Sequence, residues 1–172
     1  MNNIKYTVIN EHTNFDFHDA QINGVRFQDG HMVWDLPVIQ TPVIYAPHKK
    51  LDEDTCYIKS AVMVLENAAI ESIVIGGYEI YDNKGNLIEA QASVPAPPEE
   101  YGEILQNISY KNFRYIGSMT VLPVTGDRRY RVRFTVPGHE ITITFTKSMI
   151  KWDEFAGVTW YRNKRWRSDR SN

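Results

Sequence analysis

Cysteine is nearly missing from this chain of 172 residues: Cys56 stands alone, so no disulfide can close within it. That excludes a disulfide-stapled secreted scaffold and leaves too few ligands for a thiolate metal site. Cys56 sits in an apolar-alternating run and reads as a small buried hydrophobe rather than a reactive thiol. Long apolar runs are missing too. The longest, such as residues 61–65, fall far short of the roughly 20 residues that span a bilayer. The opening Met1-Asn2-Asn3-Ile4-Lys5-Tyr6 has no apolar stretch of the signal-peptide kind, so a cytoplasmic protein without membrane contact is expected. No period repeats along the chain, which argues against solenoids and propellers. The patterns G-x-x-x-x-G-K-[ST], G-x-G-x-x-G and G-x-S-x-G do not occur, so phosphate-loop, dinucleotide and hydrolase-elbow chemistry has no support.

What is present fits a folded β-rich domain. Hydrophobic residues make up 42% and charged residues 23%, which separates the chain from disordered sequences. The net charge of −2 excludes a uniformly basic nucleic-acid binder. It hides an asymmetry. Residues 1–100 carry six basic and fifteen acidic side chains, a balance of −9; the remainder carries thirteen and six, a balance of +7. The halves either attract each other within one fold or present fields to a partner.

Strand signals dominate. Residues 129–136 and 139–146 flank Pro137-Gly138, which suits a type II turn because Pro presets φ and Gly supplies φ > 0. With a two-residue loop, Phe134 faces Ile141, Val132 faces Ile143 and Tyr130 faces Phe145, while Thr135, Arg133 and Arg131 oppose Glu140, Thr142 and Thr144. One face is apolar and the other polar, as in a sheet covering a core on one side. Residues 18–27 and 31–36 flank Asp29-Gly30, a strong hairpin signal, with a bulge expected near Asn23-Gly24. Residues 57–66 and 70–81 also read as strands. Gly76-Gly77 within the second predicts a bend rather than a break, and 82–86 turns the chain into 87–90. Further strand-like segments are 110–121 and 152–161.

One helix is expected near residues 98–108. Pro98, Glu99 and Glu100 suit a first turn, and Tyr101, Ile104, Leu105 and Ile108 form an apolar stripe at i, i+3, i+4 and i+7. The prolines before it read as a stiff lead-in rather than a domain boundary. The expected fold is therefore mainly β: a sandwich or curled antiparallel sheet, one short helix over an edge or open end, a single domain at 1–161 and a basic tail at 162–172.

Candidate sites are few. His18 and Asp19 could form a general-base pair, but neighbours on a strand point to opposite faces, so pairing needs a turn or bulge. The other reading is that they anchor the strand start. His12, His18, His31, His48 and His139 show no metal-ligand spacing, so neither metal nor cofactor is expected. The run Asp52-Glu53-Asp54 lacks the pattern of a calcium loop and reads as solvated. Asp153 and Glu154, beside Trp152, stand too close in sequence for a glycosidase pair. In the tail, Arg162, Lys164, Arg165, Arg167 and Arg170 alternate with Tyr161 and Trp166, a mixture that can meet phosphates and stack on bases.

The segments Phe17-His18-Asp19-Ala20-x-Ile22 and Trp152-Asp153-Glu154-Phe155-x-Gly157-x-x-Trp160-Tyr161 together resemble a group of uncharacterised small bacterial β-rich proteins. The resemblance implies a bacterial, cytoplasmic interaction protein of immunity or accessory type and carries no catalytic residues. The leading expectation is thus a non-enzymatic protein-binding domain, with His18, Asp19, Trp152, Asp153, Trp160, Arg162, Arg165 and Trp166 as candidate binding residues. Its partner would be another protein. A small-molecule or carbohydrate-binding sandwich is the main rival, and nucleic-acid binding through the tail is the least favoured reading. Oligomeric state is left open by the sequence.

Overall fold

A computed structural model describes residues 4–42, 55–110, 115–124, 127 and 129–158. In chain order its elements are β1 (Tyr6–Ile9), β2 (Ala20–Gln21), β3 (Gly24–Gln28), β4 (His31–Pro42), β5 (Thr55–Glu66), β6 (Ala69–Ile75), β7 (Tyr78–Tyr81), β8 (Leu87–Gln91), β9 (Val94–Pro95), α1 (Tyr101–Tyr110), β10 (Tyr115–Ile116), β11 (Ser118–Val121), β12 (Tyr130–Val136), β13 (His139–Phe145), β14 (Lys147–Trp152) and β15 (Glu154–Val158). The protein is mainly β, with antiparallel pairing throughout.

Turn chemistry sets the hairpins. Asp29 and Gly30 both take positive φ, 52° and 74°, which matches the twist of the flanking strands and closes β3 on β4 with Gln28 opposite His31. Gly138, at φ 78°, closes β12 on β13 in the register expected from the sequence, Phe134 against Ile141 and Tyr130 against Phe145. The bulge expected near Asn23-Gly24 is instead a gap between β2 and β3. β2 leaves to pair with β10, and the β3–β4 register stays regular.

Two sheets share one core. The first has the order β1-β14-β5-β4-β3, with β15 also on β5; the second has the order β11-β12-β13-β6-β9. Met32, Trp34, Leu36, Met63, Leu65, Ile150 and Trp152 of the first meet Val132, Phe134, Val136, Ile141, Ile143 and Phe145 of the second in one buried cluster. Trp34 and Phe134 make the closest ring contact between the sheets, with centroids 4.8 Å apart. The helix follows a 3-10 turn at Pro98–Glu100, so its α-helical part starts at Tyr101, slightly later than expected. It packs along the edge strand β3 and buries Ile104, Leu105 and Ile108. Covering an edge in this way protects its unpaired backbone groups. The core draws on residues before and after the proline stretch, from Phe15 to Trp152.

The sheets are joined where two paired strands bend together. β5 runs into β6 through Asn67, at φ 50°, while β13 runs into β14 through Thr146. Facing residue numbers add to 213 on both sides of this corner, Thr144 against Ala69 and Lys147 against Glu66. The ladder therefore turns the corner without slipping. Asn67 Nδ2 donates to Thr146 Oγ1 at 2.9 Å, Thr146 N donates to the Glu66 carbonyl at 3.0 Å, and Lys147 Nζ reaches Glu66 Oε1 at 3.1 Å. Glu66 with Lys147, and Glu71 with Arg131, are ion pairs between the acidic and basic halves of the chain.

A crease crosses the first sheet. Buried positions run 32, 34, 36 and then 39, 41 on β4; on β5 they run 65, 63, 61 and then 58, 56. The phase changes at Pro37 on one strand and at Ser60, with φ 53°, on the other, and Asp153 interrupts β14 and β15 at the same level. Because the neighbouring strands change phase together, both ends of the sheet keep an apolar face on the core.

The ladder also extends outward. β6 pairs with β9, and β7 with β8: facing numbers add to 169 at Val74–Pro95 and again from Tyr78–Gln91 to Ile80–Glu89, and a bulge then shifts the pairing to Tyr81–Leu87. At Gly76-Gly77 the strand expected to bend is instead interrupted: β6 ends at Ile75, β7 starts at Tyr78, and β7 with β8 forms a separate two-stranded sheet. Gly76 N donates to the Gly138 carbonyl at 2.8 Å, in the turn just before β13 begins. Beyond it β7 and β8 continue as a two-stranded arm whose strand residues are all exposed. A Cβ at Gly77 would lie 2.1 Å from the Gln91 carbonyl oxygen, so the base of the arm closes only with glycine there.

Candidate functional site

The structure brings His18 and Asp19 together, and the device is a turn rather than a strand. Ala20 N donates to the Phe17 carbonyl at 3.0 Å, and Asp19 takes φ 61°. The reversal lets neighbouring side chains meet: His18 Nδ1 lies 3.2 Å from Asp19 Oδ2. Asp16 Oδ1 accepts the His18 backbone N–H at 2.9 Å and fixes the start of the turn. His18 lines an open groove of about 270 Å³ whose walls include Thr13, Asp16, Ser118 and Met119. Its side chain is 67% exposed and that of Asp19 73%, so water screens their attraction. The Ser118 hydroxyl lies within hydrogen-bond distance of Thr135 Oγ1, at 3.1 Å.

Trp152, expected at a binding surface, belongs to the core. It is 1% exposed, stacks on Tyr6 at 5.4 Å, and meets Phe15 and Phe155 edge-on. The alternation of β14 buries positions 148, 150 and 152; where one strand is expected from 152, β14 ends at Trp152 and β15 starts at Glu154. Asp153 sits half-buried at the crease and Glu154 is exposed beyond it. Trp160, Arg162, Arg165 and Trp166, with the tail at 162–172 and the acidic run Asp52-Glu53-Asp54, lie outside the described residues. Cys56 is buried.

Two features went unnoticed in the sequence. His12 is 2% exposed, with Nδ1 2.8 Å from Ser148 Oγ and its ring against Tyr130 and Phe145. Burial pushes its pKa below the usual imidazole value. Only its place beside the corner, set by tertiary contacts, distinguishes it from the other histidines. The second feature is the arm. Tyr78, Ile80, Tyr81, Leu87 and Ile88 are all exposed, Ile88 by 66%. Its alternation resembles that of a buried strand, so composition alone hides its exposure.

A second groove, of about 390 Å³, lies between α1 and β3, lined by Arg26, Phe27, Gly102 and Gln106 among others. Arg26 is held by Asp35 across the β3–β4 hairpin. Among the described residues no group of three or more His, Cys, Asp or Glu side chains is placed to hold a metal ion, and no helix is long and apolar enough to cross a membrane. Comparison with known proteins adds no relative: no protein-family model, curated protein or solved structure matches the chain.

Proposed function

We propose that this chain is a non-enzymatic protein-interaction domain of the bacterial cytoplasm, whose most concrete form is an immunity-like protein that captures a basic partner. The observation that carries this reading is the exposed arm. Clustered exposed apolar side chains often mark interaction surfaces, and here Tyr78, Ile80, Tyr81, Leu87 and Ile88 stand clear of the core on the two faces of the arm. The acidic balance of residues 1–100 supplies a field that would speed encounter with a basic surface and fix its register.

The test is retention of partners from the native host on immobilised protein, at low and at high salt. A partner held at low salt and weakened at high salt is expected. No partner at either salt concentration refutes the reading.

The groove beside His18 favours a second reading, a small-molecule or carbohydrate site. Its volume of about 270 Å³ lies just below the range usual for ligand pockets, about 300–1,000 Å³. A thermal-shift screen of sugars and metabolites separates the two, since a ligand raises the melting temperature with its concentration over Kd.

A further inference from the structure

The arm has a specific chemistry on each face. The β7–β8 register puts Tyr78, Ile80 and Glu89 on one face, and Glu79, Tyr81 and Leu87 on the other. On the first face the Tyr78 hydroxyl donates to Glu89; on the second the Tyr81 hydroxyl donates to Glu79 at 2.5 Å. Each face therefore offers a tyrosine, at least one aliphatic side chain and a carboxylate, and Ile88 stands unpaired at the bulge between Ile80–Glu89 and Tyr81–Leu87. Beyond β8's start, Asp82 closes the turn. Its Oδ1 accepts the backbone N–H groups of Lys84 and Asn86, both at 2.8 Å. The arm carries Glu79, Asp82 and Glu89 against Lys84, a local charge of −2. Among the described residues none of these carboxylates has a lysine or arginine partner.

We propose that the arm is the docking element and that it takes a cationic, extended segment of a partner protein as an added strand. The proposal rests on the protein-interaction reading and names the surface and the partner's chemistry. An added strand sends alternate side chains to the two faces of the sheet it joins. That is the form of partner able to use both faces of the arm at once. Lysine or arginine stems would cover Ile80 or Leu87 while their charges meet Glu89 or Glu79. Tyr78 and Tyr81 offer rings for cation–π contact. The bonds from tyrosine to glutamate and the Asp82 turn hold the arm in shape before binding, which lowers the ordering cost of docking. A second copy of the chain fits poorly, because pairing two arms would set Glu79 and Glu89 against their own kind.

The probe is a short synthetic peptide of alternating lysine and valine, with a glutamate–valine peptide as control, titrated into the full chain and followed by amide NMR shifts. The lysine peptide is expected to shift amides of residues 78–91 and the glutamate peptide to leave them unmoved. The double substitution Glu79→Lys with Glu89→Lys should weaken the lysine peptide by about tenfold or more. A lysine peptide with N-methylated backbone keeps its charge but loses its donors, and it should fail to bind.

Equal binding of both peptides overturns the proposal. So does binding unaffected by the substitutions, shifts mapping elsewhere, or full binding of the N-methylated peptide. Self-association through the arm, seen by sedimentation, overturns it in favour of a second copy. If the native host yields a partner whose retention survives the double substitution, the interaction reading stands and the arm proposal falls. If no partner is retained at all, the broader reading falls.

Discussion

The strand pair that folds the two sheets together and the strand pair that forms the arm are stretches of the same chain, and they obey the same rule of pairing. β5 and β6 meet β14 and β13 in a register that turns a corner without slipping, and β6 and β7 meet β9 and β8 in another that passes Gly76-Gly77 without slipping. Their burial differs completely. At the corner, Leu65, Ala68, Phe145 and Ser148 are buried; in the arm every strand residue is exposed. Pairing alone therefore does not say what a strand is for. A second layer against the pair turns its apolar residues into core, and without that layer the same residues form a surface able to receive another chain.

The largest effect expected from this contrast is on stability. Phe134→Ala removes a side chain with no exposure, packed between Trp34 and Phe17, and should cost about 3–5 kcal/mol. Ile88→Ala removes an apolar side chain that is 66% exposed and should stay within about 0.5 kcal/mol. Urea midpoints of the two variants measure this directly. Comparable losses would mean the arm is packed in solution and would abolish the distinction.

How much of this was legible follows from which forces are local. The β12–β13 register could be read because Pro137-Gly138 and alternating side chains act over a few residues. The helix and its buried Ile104, Leu105 and Ile108 followed from a local stripe. The glycine pair at Gly76-Gly77 marks a change in the strand, but not its interruption there nor the exposure of the strands beyond it among the described residues, since covering a strand is decided by distant segments. Trp152 was misplaced for the same reason: the Tyr6 and Phe15 rings that enclose it come from the other end of the chain. His18 and Asp19 stand out in the sequence as an adjacent imidazole and carboxylate, yet their meeting depends on the left-handed backbone at Asp19. His12 gave no signal, because its burial is wholly a product of the corner.

Gly77→Ala tests the seam between the two regions. The added Cβ would meet the Gln91 carbonyl oxygen at 2.1 Å, a backbone atom that cannot rotate away. A cost of about 1–3 kcal/mol is expected if the base of the arm is to stay closed. If the arm opens instead, global stability holds while amides 78–91 lose their exchange protection. Unchanged stability together with unchanged protection would show that the base of the arm is not close-packed.

Acid should separate the regions further, through two groups whose pKa values are both lowered on folding but from different starting points. Burial lowers the pKa of His12, so the folded state resists its protonation. The associated stability is complete above the ordinary imidazole value and is lost as pH falls below it toward the folded value. In the arm, hydrogen bonds from Asn86 lower the pKa of Asp82. Its contribution is therefore present above the ordinary carboxylate value and disappears only as pH falls through the lower folded value. Hydrogen exchange on a descending pH series should loosen β1 and β14, beside His12, before the arm's turn. His12→Gln should flatten the first step and leave the second. Loosening of the turn first would reverse this ordering.

The smallest effect concerns how the corner is held. Glu66 and Lys147 form an ion pair there, but their side chains remain 25% and 37% exposed. A pair so open to water is worth roughly 0.2–1 kcal/mol. The other fastenings are hydrogen bonds: Asn67 to Thr146, and Thr146 N to the Glu66 carbonyl. A double-mutant cycle with Glu66→Gln and Lys147→Met isolates the charge contribution. A coupling within about 1 kcal/mol means the corner is held by its hydrogen bonds and the apolar side chains beneath it. A much larger coupling would make charge the fastening. Buried and exposed stretches of the ribbon would then both depend on electrostatics, the corner on a pair it already contains and the arm on one that a partner completes.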